Sequence, residues 1–218
     1  MKVWCYVFAI ATLAFALGLK AMGQQPAPSP TPVSTGVETI VFFRHGEKPP
    51  RGLGQLTCQG LNRALALPAV LLARFGKPDY LFAPDPAVRV LDGTVEGYDY
   101  VRPLATIEPT AIRLGMPVNT DYGFLAIGRL ERELARRRYE GKTIFVTWEH
   151  RTLEAMVKQL MKTFGGSAAE VPPWPADDYD SLYVLRLDRH NGAKPLSFTH
   201  DHEGLDGLSA DCPDPKQP

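Results

Sequence analysis

The stretch Thr39-Ile40-Val41-Phe42-Phe43-Arg44-His45-Gly46-Glu47-Lys48-Pro49 changes character halfway along. Its first five residues are β-branched or aromatic, with no polar interruption after Thr39. That is the pattern of a strand covered on both faces. Charged residues, a glycine and a proline follow at once, so the strand ends where the chemistry begins. Thr143-Ile144-Phe145-Val146-Thr147-Trp148 repeats the form and runs into Glu149-His150-Arg151. If the two strands are neighbours, the two imidazoles face one another.

The segments between and beyond these strands alternate in type. Thr57 is placed to cap a helix running towards Phe75, in which Pro68 should start a second segment or introduce a kink. Tyr80 to Ala83 is a short strand. Thr106 to Leu114 reads as a helix ended by Gly115, with Pro117 beyond. Leu125 to Tyr139 reads as one amphipathic helix whose cluster of Glu131, Arg132, Glu133 and Arg136 to Arg138 forms a solvated face. A helix over Thr152 to Phe164 and strands over Ser181 to Leu187 and Pro195 to Thr199 complete the pattern. Alternating strands and helices predict an α/β fold, a three-layer α/β/α sandwich with a mostly parallel central sheet. Active groups in such sheets collect beyond the carboxyl ends of the strands.

Residues 1–23 are set apart. Lys2 precedes an uncharged run from Val3 to Leu19, and Ala21-Met22-Gly23 supplies the small residues of a signal-peptidase site. We expect residues 1–23 to be a signal peptide, 24–36 a Pro-rich linker and 37–218 the domain. The chain is then periplasmic or secreted, with no stable membrane insertion after cleavage. An uncleaved anchor is the alternative, for which the run is short of the roughly 20 residues of a spanning helix. The 24 basic and 24 acidic side chains give no field to attract a nucleic acid. Nothing in the composition specifies an oligomer. Loss of Cys5 with the leader leaves Cys58 and Cys212, which an oxidising compartment would join.

Phe43-Arg44-His45-Gly46-Glu47 resembles the signature of the histidine phosphatase superfamily, which includes the phosphoglycerate mutases and acid phosphatases. The resemblance spans roughly Thr39 to Leu187. It implies that His45 is a nucleophile that becomes phosphorylated and that Arg44 binds phosphate. Tyr100-Val101-Arg102-Pro103-Leu104-Ala105-Thr106 resembles the segment carrying the family's second arginine, which points to Arg102 ahead of Arg89. The family's second histidine follows a late strand, which points to His150. A small phosphorylated molecule is the implied substrate, with no cofactor and no metal.

Elementary chemistry supports the same set. A neutral imidazole can take a phosphoryl group and split one hard displacement into two easier ones. Two guanidinium forks match the equatorial oxygens, and a second histidine adds a donor. A carboxyl group must also carry the proton to the leaving alcohol. Family members place it in mid-chain or directly after the second histidine, whereas Arg151 stands at that last position here. Glu149 is the candidate, provided a turn begins there, and Asp121 is the alternative. Glu47 and Lys48 read as rim charges, Lys48 being able to help hold an anionic substrate. Arg89 to Tyr98 reads as one wall of the pocket. His200-Asp201-His202-Glu203 could suggest a metal, though a solvated strand end has the same spacing. The expected activity is phosphomonoester hydrolysis, the alternatives being a phosphomutase and a non-catalytic binder of phosphorylated ligands.

Overall fold

The computed structural model describes residues 36–191 and 196–213, so the expected signal peptide and nearly all of the linker lie outside the described residues. In chain order the elements are β1 (Val37–Arg44), α1 (Cys58–Phe75), β2 (Tyr80–Phe82), β3 (Arg89–Val90), β4 (Tyr98–Asp99), α2 (Arg102–Leu114), α3 (Ile127–Leu134), β5 (Thr143–Trp148), α4 (His150–Thr163), β6 (Ser181–Asp188) and β7 (Leu196–His202). One sheet has the order β2-β5-β1-β6-β7, and β3 with β4 forms a separate short hairpin. β2 and β1 both pair parallel to β5, whereas β6 is antiparallel to β1 and β7 antiparallel to β6. The sheet is therefore mixed, with β6 alone running against the other four strands.

β1 shows why an uninterrupted apolar run is needed at the centre. Ile40 and Phe42 enter one core with Leu130, Leu134, Leu153 and Met156 from α3 and α4. Val41 and Phe43, on the other face, pack with Leu67, Leu71 and Ile107 from α1 and α2. Side chains alternate across a strand, so a strand between two helical layers must be apolar at both parities. The result is the expected three-layer α/β/α sandwich. β1 and β5 are adjacent in parallel register, Phe43 opposite Thr147 and Arg44 opposite Trp148, so both end at the same edge.

Three expectations about the helices are corrected. Of the second segment or kink expected at Pro68, the second segment does not form: α1 runs as one helix through it, capped by the Thr57 side chain, which accepts from Gly60 N at 3.1 Å. α2 starts at Arg102, before Thr106, because Pro103 occupies its first turn, where a missing N–H costs nothing. The expected helix over Leu125 to Tyr139 is α3 followed, after an extended Arg136, by a short 3-10 turn at Arg137–Tyr139. Its charged cluster is not wholly solvated: Glu133 is buried and accepts from the Tyr139 hydroxyl at 2.7 Å, with Arg138 also bonded to it.

The C-terminal segment is tied to α1. Cys58 and Cys212 form a disulfide with Cα atoms 4.5 Å apart. One turn further, the Asn62 amide donates to Ser209 O at 2.9 Å and Asp211 O at 2.8 Å.

Candidate active site

His45 leaves β1 at its carboxyl end and is buried. Its Nδ1 lies 2.8 Å from the carbonyl oxygen of Gly46, an arrangement in which the imidazole donates there and keeps Nε2 as an acceptor. Arg102 Nε donates to that Nε2 at 3.2 Å. Burial, then the neighbouring Arg102 charge, hold the imidazole pKa well below its ordinary value. The ring is neutral at physiological pH, with a lone pair on Nε2. The loop that carries it is set by close backbone contact: a Cβ on Gly46 would stand 2.8 Å from Gly60 O, and Gly46 N donates to Thr106 Oγ1 at 3.0 Å.

Arg44 is buried beside it, its Nη1 donating to Ala176 O and Asp178 O, each at 2.8 Å. Its guanidinium lies 3.8 Å from the centre of the Tyr179 ring, which covers one face. Nε of Arg44 is buried without a hydrogen-bond partner in the protein. A buried, unsatisfied cationic donor favours an anion. Arg102 stands at the start of α2 and is held at its other end by Asp92, through Nη1 to Oδ2 at 2.7 Å and Nη2 to Oδ1 at 3.2 Å.

β5 delivers the second group. Glu149 is the N-cap of α4, and His150 is that helix's first residue. The helix turn brings both side chains to the cleft, which a continued strand would not have done. Glu149 Oε2 accepts from Thr152 N at 2.9 Å, and Oε1 lies 2.7 Å from His150 Nδ1, off the line of a good hydrogen bond. Burial raises the Glu149 pKa, but His150 and the amides of Thr152 and Arg151 outweigh it and bring it down to about 2. Its carboxyl is therefore ionised in the unliganded site. The N-cap contact is also a structural duty, since a capping side chain satisfies an otherwise orphaned amide.

Arg44, His45, Arg102, Glu149 and His150 line one cleft of about 430 Å³, with Lys48, Asp92 and Arg151. Its lining also includes Val90, Phe124 and Leu125. The five residues singled out in the sequence thus converge. Asp121 does not join them: it lines a separate cleft of about 440 Å³ with Asp79, Tyr80 and Met116, and accepts from Asn119 Nδ2 at 2.8 Å. Arg89 is exposed on β3 and paired with Asp99 at 3.5 Å. Glu47 is not a rim charge, because it is turned inward onto the buried Arg63 at 2.8 Å. His200 and His202 share a face of β7, ring centres 5.0 Å apart, but Glu203 is folded inside onto Arg63 at 2.6 Å. That run is split between surface and interior. Among the described residues no group of three or more His, Cys, Asp or Glu side chains is arranged to hold a metal.

Sequence reasoning missed Tyr179 and the carbonyls of Ala176 and Asp178, which grip Arg44 from more than 130 residues away. It also left Asp92 without a role. The Trp174-to-Asp180 segment carries no periodicity, and its density of aromatic and acidic residues was the only signal available.

No family model and no curated protein matches the chain. Solved structures do. A structure described as mycobacterial hydrolase 2 is similar at 14% identity and a TM-score of 0.52, over 76% of this chain and 89% of that one. The putative phosphohistidine phosphatase SixA from Agrobacterium tumefaciens is 12% identical, with a TM-score of 0.48, over 69% of this chain and 92% of that one. Phosphoglycerate mutase from Plasmodium falciparum is 11% identical, with a TM-score of 0.48, over 84% of this chain and 96% of that one. At such identities the likeness is one of architecture. With the Arg44-His45 pair at the end of its central strand, the chain shares the α/β architecture of mycobacterial hydrolase 2.

Proposed function

We propose that the chain is an exported phosphomonoester phosphatase working through a phosphohistidine on His45. One observation carries the reading: the neutral His45 ring, with Nδ1 against the Gly46 carbonyl and Nε2 turned to the cleft beside Arg102. In the first step Nε2 attacks phosphorus, the N–P bond forms and the P–O bond to the alcohol breaks. Arg44, Arg102 and His150 hold the equatorial oxygens. Glu149 gives its proton to the departing oxygen. Water then attacks phosphorus, Glu149 takes the water's proton, and the N–P bond breaks to release phosphate.

The acid step asks most of the site, because Glu149 rests near a pKa of about 2. A phosphoryl dianion in the clamp disfavours the carboxylate and moves the group towards the donor range. Export is supported by the apolar start of the chain and by the Cys58–Cys212 disulfide, a bond that persists in oxidising compartments. A non-catalytic phosphate-binding role is the second reading, and the observation favouring it is the tied, ionised state of Glu149.

Brief incubation of the mature chain with labelled nitrophenyl phosphate should leave an acid-labile, base-stable phosphoprotein, absent in His45→Ala. Label retained in that variant removes His45 from its role. Phosphate bound without turnover of any aryl ester, whose leaving group scarcely needs an acid, selects the binding-only reading.

A further inference from the structure

We propose that Asp92 is a positioning residue, gripping the end of the Arg102 guanidinium so that its side edge faces Nε2 of His45. The inference rests on the phosphohistidine reading of that histidine. A guanidinium has two usable forks: the end, formed by Nη1 and Nη2, and the side, formed by Nε and Nη2. Asp92 takes the end with both oxygens, at 2.7 and 3.2 Å. Nε is thereby aimed at His45 Nε2, 3.2 Å away. A phosphoryl group carried on Nε2 would lie against the side fork, which offers two parallel donors to two of its oxygens.

Asp92 is itself held. Its Oδ2 accepts from Gly54 N at 3.0 Å, while Arg102 N donates to Gly54 O at 2.9 Å. Gly54, Asp92 and Arg102 therefore close a ring of hydrogen bonds, of which Asp92 and Arg102 line the cleft. Two further features show how closely the carboxylate is fitted. Asp92 has a φ of 43°, in the left-handed region that side chains other than Asn and Asp rarely adopt. A Cβ on Gly52 would stand 2.1 Å from Asp92 Cγ, so only glycine leaves the carboxylate its place. The side chain is 9% exposed, and a buried guanidinium without a counter-charge would be costly to keep there. Burial works against the charge on Asp92, but the bonds from Arg102 and Gly54 prevail and keep its pKa below the ordinary value. It is thus an anchor and not a proton donor.

Asp92→Asn tests this with little disturbance, since Asn tolerates the same backbone conformation and keeps one oxygen for Gly54. One of the two bonds to Arg102 is lost. Binding of orthovanadate, measured by calorimetry, should weaken about 10- to 100-fold, as expected when a reacting geometry slips by a fraction of an ångström. Nitrophenyl phosphate turnover should fall in parallel; the melting temperature should drop as well, since Arg102 loses its buried counter-charge, while the far-UV circular dichroism at 25 °C stays that of the parent. The discriminating measurement is a double-mutant cycle. In an Arg102→Lys background, Asp92→Asn should cost little more, because Asp92 acts through the fork that lysine lacks. Additive losses, or unchanged vanadate affinity in the single variant, overturn the proposal. If His45 forms a phosphoprotein while Asp92→Asn is silent, this inference alone falls. If the parent binds no vanadate and forms no phosphoprotein, the reading of the whole site falls with it.

Discussion

The two arginines of the central loop region make opposite predictions. Arg102 is buried against His45 and uses its fork, whereas Arg89 lies on the exposed hairpin and meets Asp99 across 3.5 Å. Arg102→Lys keeps the charge and loses the directed pair, a loss worth about 2–4 kcal/mol in a transition-state site. Turnover should drop by about two orders of magnitude or more, and Arg89→Lys should stay near the parent. Steady-state kinetics with the reverse ranking would show that the wrong arginine had been chosen. Glu149 is tested by its leaving-group dependence. An alkyl phosphate departs as a basic alkoxide that must be protonated, while nitrophenolate departs unaided. Single-turnover transfer to His45 should therefore suffer far more from Glu149→Gln on the alkyl ester. Equal losses on both esters would make Glu149 a helix cap alone. His45, Arg44 and His150 were legible in the sequence because each stands at the end of an unmistakable buried strand. Asp92 and Tyr179 were not: Asp92 meets Arg102 only through the turn of the β3–β4 hairpin ten residues before it, and Tyr179 reaches Arg44 from a loop far along the chain.

Elements were legible where period and punctuation agreed. β1 and β5 emerge as read because a continuous apolar run between turn residues has few other uses. α2 was read four residues late, since its start carries no capping side chain and is marked only by Pro103 in the first turn. α3 stops early for a reason no helical period reveals: Glu133 leaves the solvated face to meet Tyr139 and Arg138, and the chain turns there. Pairing of the last cysteine was legible from count together with the export expected of the chain, and its position makes a prediction. The bridge closes a separation of 154 residues between α1 and the tail. In the chain-entropy account such a loop stabilises by roughly 3–5 kcal/mol. Cys212→Ser should lower the urea midpoint accordingly, and the oxidised parent should weigh two hydrogens less than its reduced form. Two free thiols in protein exported to an oxidising compartment would refute the bridge.

At the scale of the whole molecule, one side chain ties the sandwich together. Arg63 on α1 is 1% exposed and reaches Glu47 after β1 at 2.8 Å, Asp180 before β6 at 3.2 Å, and Glu203 and Asp206 after β7 at 2.6 and 3.1 Å. A single cation cannot compensate four carboxylates equally. Asp206 is largely in water, and Asp180 also accepts the amides of Gly204 and Leu205. Glu203 is the most deeply enclosed, with Oε1 lacking any partner, and burial pushes its pKa up to about 8 despite the pull of Arg63. The sign of the consequence follows from proton counting. Between an unfolded value near 4.5 and a folded value near 8, the native state holds a proton that the unfolded chain has released. Stability from this group is complete below the lower value and is lost as pH rises through the window, by at most about 1.4 kcal/mol per pH unit. Glu203→Gln keeps the shape and removes the titration. Urea denaturation of parent and variant at pH 5, 6.5 and 8 should show their difference moving steadily in favour of the variant as pH rises. A constant difference across that range would mean that Glu203 is ionised throughout, and that Arg63 balances the cluster without a bound proton. Arg63→Met should destabilise at every pH, because it strands the carboxylates that the guanidinium holds.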